Sequence, residues 1–149
     1  MQLEELQKKI GLKLKNQELL EKALTHSSYI NENPEAGESN ERLAWLGDAV
    51  LYFIVTERLL KELKTQDTGQ LTQIRKKYIE KQVLALEAKK LHLDQLLQLD
   101  KGEEKQKGRE NVKNLHTAYE ALLGAIYRDQ DIEVLKEYII EDFMKLKNV

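Results

Sequence analysis

Two carboxylates stand in segments that offer a charge little comfort. Asp48 lies in the run from Leu43 to Val55, where Leu43, Leu46, Val50 and Phe53 recur at helical spacing and Trp45, Ala49, Leu51 and Ile54 fill most other positions. A helix that is apolar nearly all round is expected to be buried, and an acid within it must be paired, hydrogen-bonded or metal-bound. Glu41, seven residues earlier, falls two turns back on the same face. Glu120 repeats the pattern among Ala118, Tyr119, Ala121, Leu122, Leu123 and Gly124. Two acids from two buried helices can converge on a hard cation such as Mg²⁺, which needs oxygen ligands, keeps several waters and assists phosphodiester cleavage. Small neighbours (Gly47, Ala49, Ala121, Gly124) would let helices or a substrate backbone approach closely. The same two acids could equally form a buried ion-pair network with Arg42.

The elements that must position these acids are all helical. Residues 2–10 read as a short helix stopped at Gly11, and Asn16 caps a second, with Leu19, Leu20, Ala23 and Leu24 as its stripe. Thr25–Tyr29 ends or extends that helix. The polar stretch from Asn31 to Ser39, with Pro34 and Gly37, is a loop, and Ser39 or Asn40 caps the central helix, which runs to about Leu63. Asp67-Thr68-Gly69 is a turn. After it Leu71, Ile74, Tyr78, Val83 and Leu86 alternate with Arg75, Lys76, Lys77, Lys81, Lys89 and Lys90, giving one helix with a basic face. Leu91–Leu99 is a short helix or turn, and Asp100–Arg109 a flexible charged segment. A second long helix starts near Glu110, with Val112, Leu115, Tyr119, Leu122, Leu123 and Ile126 at helical spacing. An amphipathic helix over 132–147 completes the chain.

Composition fits this all-α reading: one domain over 1–149, one proline, seven glycines and 34% charged residues. The absence of cysteine rules out disulfides, thiol catalysis and thiolate metal sites. No apolar run reaches membrane-spanning length and the amino terminus lacks the apolar core of a signal peptide, so the expected location is cytoplasmic, with no membrane partner. The net charge of −2 supplies no overall basic field, so a polyanion would need a local basic face.

The segment Asn40-Glu41-Arg42-Leu43-Ala44-Trp45-Leu46-Gly47-Asp48-Ala49-Val50-Leu51 resembles the signature helix of the ribonuclease III family, usually Asn-Glu-Arg-Leu-Glu-Phe-Leu-Gly-Asp-Ser/Ala-Val-Leu. Ala23-Leu24-Thr25-His26-Ser27-Ser28-Tyr29 is similar to the family's Ala-Leu-Thr-His-x-Ser-Tyr. Lys101-Gly102-Glu103-Glu104 with Gly108-Arg109 resembles its loop, and Tyr119–Tyr127 its second acidic motif. The resemblance implies an all-helical endonuclease domain, a helical bundle that forms a homodimer across the central helix. It implies cleavage of double-stranded RNA with Mg²⁺, or Mn²⁺ in its place, leaving 5′-phosphate and 3′-hydroxyl ends. Structured ribosomal RNA precursors are among the expected substrates, and the chain is expected to be a single endonuclease domain over 1–149 without a double-stranded-RNA-binding domain.

Carried over by position, the resemblance makes Asp48, Glu120 and Glu41 the catalytic and metal-binding acids. The departures are Ala44 and Thr117, where family members carry acids, and Thr68, where a Glu is common. Ala44 and Thr117 resemble the corresponding residues of Mini-ribonuclease III, whose motifs look like Ala-Tyr-Ile-Gly-Asp-Ala-Val and Thr-Gly-Phe-Glu-Ala-Leu-Ile-Gly. The amino-terminal half is closer to ordinary ribonuclease III. Thr117 is then expected to hydrogen-bond a metal-held water or, as readily, its own helix backbone. Lys76, Lys77, Lys81, Lys101, Lys105, Lys107, Arg109 and Lys113 are the candidates for gripping RNA phosphates, with His116 a weaker one. His26 is expected to serve structure. The alternative is an RNA-binding or scaffold relative that has lost catalysis.

Overall fold

Local capping sets most helix boundaries in the computed structural model, which describes residues 2–144. Helix α1 (Gln2–Ile10) stops at Gly11, whose φ of 71° is the left-handed conformation that glycine reaches without strain. Helix α2 (Gln17–Ala23) starts at Asn16, whose side chain accepts from Glu18 N at 3.0 Å. Helix α3 (Ser27–Glu32) is separate. His26 caps it by accepting from Ser28 N at 3.1 Å, so Thr25–Tyr29 opens a new helix where sequence periodicity left the point undecided. A 3₁₀ turn, Pro34–Ala36, interrupts the loop that leads to α4 (Glu41–Glu62). Asp67 caps α5 (Thr68–Ile79), accepting from Gly69 N at 2.9 Å and Gln70 N at 3.2 Å.

The single basic helix expected after Gly69 is in fact two. The backbone turns extended at Glu80 (φ −61°, ψ 145°), and α6 (Lys81–Lys90) folds back to pack Leu84, Ala85 and Ala88 into the core. Helix α7 (Leu93–Leu96) follows. The segment 100–109, expected to be flexible, is structured. Asp100 accepts from Glu103 N at 2.8 Å to cap α8 (Lys101–Lys105), and a 3₁₀ turn spans Gly108–Glu110. Asn111 caps α9 (Val112–Asp129) and Asp131 caps α10 (Ile132–Tyr138). A π-helical turn, Ile139–Met144, carries the chain to the end of the described residues. The last turn expected of the C-terminal helix lies outside them.

The core is organised around α9, whose residues from Ala118 to Ile126 are all buried. Helices α4 and α6 lie against it, and α2 and α10 close the flanks. The architecture is all-α. Among the described residues the β-type pairing is a single bridge, Thr25 with Gln98.

Helix α4 is apolar all round, as its sequence suggests, but only one of its faces is covered. Leu43, Ala44, Gly47, Leu51, Ile54, Val55 and Leu59 are buried, whereas Trp45 is 82% exposed, Phe53 50% and Tyr52 43%. The expectation that Asp48 is buried is therefore corrected for the single chain, since its position falls on the open side. Arg75 of α5 lies over the Tyr52 ring at 4.2 Å and donates to Thr56 Oγ1 at 3.0 Å, pinning one edge of this face.

Candidate active site

Glycine decides how closely the two acid-bearing helices meet. A methyl group placed on Gly47 would overlap the carbonyl oxygen of Glu120, 2.7 Å from its carbonyl carbon and 2.9 Å from Gly124 N. A methyl on Gly124 would overlap the carbonyl oxygen of Leu43. Backbone thus rests directly on backbone where α4 crosses α9. Asp48, next to Gly47, is carried to Glu120, and the two carboxyl groups come close enough to influence each other.

Their surroundings differ. Glu120 is 6% exposed, and burial pushes its carboxyl above the usual range. The hydrogen bond from His116 works against that shift and the Asp48 carboxylate adds to it. His116 Nδ1 lies 2.9 Å from Glu120 Oε1, one helical turn away on α9. An ionised carboxylate can only accept, so the ring carries its proton on Nδ1. His116 entered the sequence reading only as a minor RNA contact. Its four-residue spacing from Glu120 was the available signal for this pairing.

Glu41 is not brought to the pair. It is the first residue of α4, exposed, and about 10 Å from Asp48 along the helix axis. Among the described residues no three acidic or histidine side chains are grouped to hold a metal ion. Thr117 is partly buried on α9 beside His116. A donor set of two carboxylates, one buried and one exposed, fits a hard cation that keeps most of its water. It does not fit an ion that needs a full cage of protein ligands.

Beside the site, residues from three motifs form one hydrogen-bonded network. His26 Nε2 lies 2.9 Å from Asn114 Oδ1, and the Asn114 amide donates to Glu103 Oε2 and Gly108 O at 3.1 Å each. Asn114 Oδ1 must accept, so Nε2–H donates, and Nδ1 is the acceptor from Ser28 N at 3.1 Å. Ser28 Oγ in turn accepts from Asp100 N at 3.0 Å. These bonds tie α3 and α8 to the start of α9 and account for the order of segment 100–109. His26 is structural, as the sequence suggested. Asn114→Ala should leave three polar partners unsatisfied and lower stability by about 2 kcal/mol. Urea unfolding would show this as a lower midpoint with an unchanged slope; an unmoved midpoint would mean that the network does not hold the loop.

The candidate phosphate-binding cations form two groups along the chain, all exposed except Arg109. Lys76, Lys77 and Lys81 lie at the α5–α6 corner, where Lys76 also pairs with Glu80 at 3.9 Å. Lys101, Lys105, Lys107 and Lys113 run from α8 to the first turn of α9, about two helical turns before Glu120, which lies at the middle of that helix. Arg109 is committed to the fold, donating to Asp94 O at 2.8 Å, to Leu97 O at 2.7 Å and to the Glu104 carboxylate.

The sequence model of the family described as ribonuclease-III-like matches residues 16–146. Ribonuclease 3 of Clostridium tetani is 41% identical over 146 residues, which are 98% of this chain and 62% of that protein. Ribonuclease 3 of Nitratidesulfovibrio vulgaris is 46% identical over 127 residues, covering 85% of this chain and 50% of that protein. This chain therefore spans between half and two thirds of the length of these curated relatives. The nuclease domain of ribonuclease III from Campylobacter jejuni, in a structure describing flexibility in the region involved in dimer formation, has a TM-score of 0.88. It is 31% identical, with 96% of both chains covered. A second structure of that nuclease domain gives a TM-score of 0.84 at 28% identity, covering 99% of this chain and 97% of that one.

Proposed function

Because the chain belongs to the ribonuclease-III-like family, we propose that it is a divalent-metal-dependent endoribonuclease that cuts double-stranded RNA as a homodimer. The observation that carries the reading is the Asp48–Glu120 pair. A glycine contact that tolerates no side chain holds the two acids together, and one of them is kept buried at a cost. A scaffold would have no use for that cost. When bound, a Mg²⁺ ion supplies a Lewis acid beside the scissile phosphate and activates the attacking water. The buried Glu120 and the exposed Asp48 would hold the ion between them. The lysines from α8 to the start of α9, with those at the α5–α6 corner, grip phosphates by charge and shape, so binding weakens with added salt. Structured RNA precursors, ribosomal ones among them, are the substrates to try first.

The test is cleavage of a long RNA duplex with Mg²⁺ or Mn²⁺. Ends carrying 5′-phosphate are expected. No cleavage across a range of metal concentrations, with the duplex still bound, would establish the scaffold alternative instead.

The exposed face of α4 supports the homodimer. Trp45 borders a cleft of about 450 Å³ whose floor includes Leu19, Leu43, Leu46 and Ala49 and whose rim carries the charged Lys22, Glu38, Arg42 and Arg128. Such a face is self-complementary, since the Trp45 of a second copy can fill the cleft of the first. Among the described residues no helix is long and apolar enough to cross a membrane. Trp45→Asp should raise the dimer dissociation constant by about thirtyfold or more, the ~2 kcal/mol of a buried aromatic anchor. Sedimentation velocity would measure it. A native protein that stays monomeric at micromolar concentration would sink the assignment.

A further inference from the structure

We propose that His116 is a positioning residue: its Nδ1–H fixes one carboxylate oxygen of Glu120 so that the other is presented to the divalent cation. The bond is 2.9 Å long and both side chains are largely buried, at 13% and 8% exposure. It is set within α9 itself, by a spacing of one turn, and so exists before a second copy or RNA arrives. A Glu side chain has three rotatable bonds, and a site with only two carboxylates has little redundancy to absorb a wandering one. The ring supplies the restraint: Oε1 is committed to His116, and the Asp48 carboxyl stands near enough to act on the same group, so the orientation of Glu120 sets what the two acids offer together. His116 does not itself join a ligand group, because among the described residues no three such side chains converge on one point. Its effect is therefore on the orientation of Glu120, the kind of outer contact whose loss weakens metal binding by about 10–100-fold.

This inference rests on the metal reading proposed above, and the test separates the two. Mn²⁺ alone is titrated into the RNA-free protein, and free ion is counted by electron paramagnetic resonance. The native protein is compared with His116→Asn, His116→Gln and His116→Phe, each checked for its thermal melt. Asn places an amide donor where Nδ1 stands, Gln places it at the Nε2 position, and Phe keeps the ring without a donor. The expected result is Mn²⁺ affinity within about threefold of native for H116N and at least about tenfold weaker for both H116Q and H116F. Single-turnover cleavage should follow the same order through the rate at saturating RNA, with the RNA affinity unchanged. Equal affinities for H116N and H116Q, or native affinity in H116F, would overturn the positioning role. If the native protein binds no Mn²⁺ at all, the metal reading itself falls, and the inference with it.

Discussion

Asp48→Asn and Glu120→Gln are each expected to slow cleavage of an RNA duplex by about a thousandfold, while acting differently on stability. The rate loss follows from the ion site. A Lewis acid next to the reacting phosphate contributes several kcal/mol to the transition state, and losing about 4 kcal/mol is close to a thousandfold. Asp48 is exposed, so Asn in its place should leave the melting temperature nearly unchanged. Glu120 is buried with its carboxyl pushed above the usual range, so its folded form binds a proton more readily than its unfolded form. For such an acid, stability is fullest below the unfolded value, 4.5 here, and is lost as pH rises through the higher folded one. At pH 8 the native protein carries more of the penalty than it does near pH 4.5, and the Gln variant carries none at either pH.

E120Q should therefore melt higher than the native protein at pH 8 in the presence of a chelator, and the gap should close as pH falls towards 4.5. Added Mg²⁺ should raise the native melting temperature and leave E120Q unmoved, since an ion stabilises only the state that binds it. Melts at two pH values, with and without Mg²⁺, would check all three statements. An E120Q protein that melts lower than native at pH 8 would show that Glu120 serves the fold, and the catalytic assignment would lose its main support.

Much of this site was legible in the sequence because it depends on local chemistry. Helical spacing located α4 and α9, and the acids beside Gly47 and Gly124 marked the crossing. What spacing could not supply was the state of each face. Trp45, Tyr52 and Phe53 have the residue types of a core, yet they lie open in the single chain, and Asp48 lies open with them. Periodicity reports that a face is apolar, not what covers it. The break at Glu80 carries no glycine or proline and comes from tertiary packing of Leu84, Ala85 and Ala88 against α9. Segment 100–109 reads as flexible from its charges. Its order comes from His26, Ser28 and Asn114, partners drawn from either side of it along the chain. Arg109 looked like a phosphate contact because nothing in the sequence reveals the backbone carbonyls of Asp94 and Leu97 waiting for it.

Gly47→Ala should be among the most damaging single substitutions available, although it improves the local helix. Replacing an interior helical glycine with alanine normally gains about 1 kcal/mol of propensity. Here the new methyl would fall into the Glu120 carbonyl oxygen and stand 2.9 Å from Gly124 N. Those atoms are backbone in a helix buried from Ala118 to Ile126, so no side chain can rotate aside. The two helices must move apart, and Leu43, Ala44, Leu51 and Val55 lose packing against α9 along its length. Ordinary overpacking costs about 1–3 kcal/mol, and a rigid backbone neighbour on both sides of the contact places this case at or beyond the upper end. A net loss of about 3 kcal/mol is a large share of a typical domain's 5–15 kcal/mol. Gly102→Ala is the control, because its methyl would meet the Asp100 carboxylate at an ordinary 3.5 Å. It should melt at or above the native temperature. The two changes also part in function: G47A carries Asp48 away from Glu120, so any fraction that remains folded should bind Mn²⁺ weakly, while G102A should bind it as the native protein does. Native-like melting and Mn²⁺ affinity in G47A would mean that the α4–α9 crossing has room to spare, and that the closeness of the two acids has another cause.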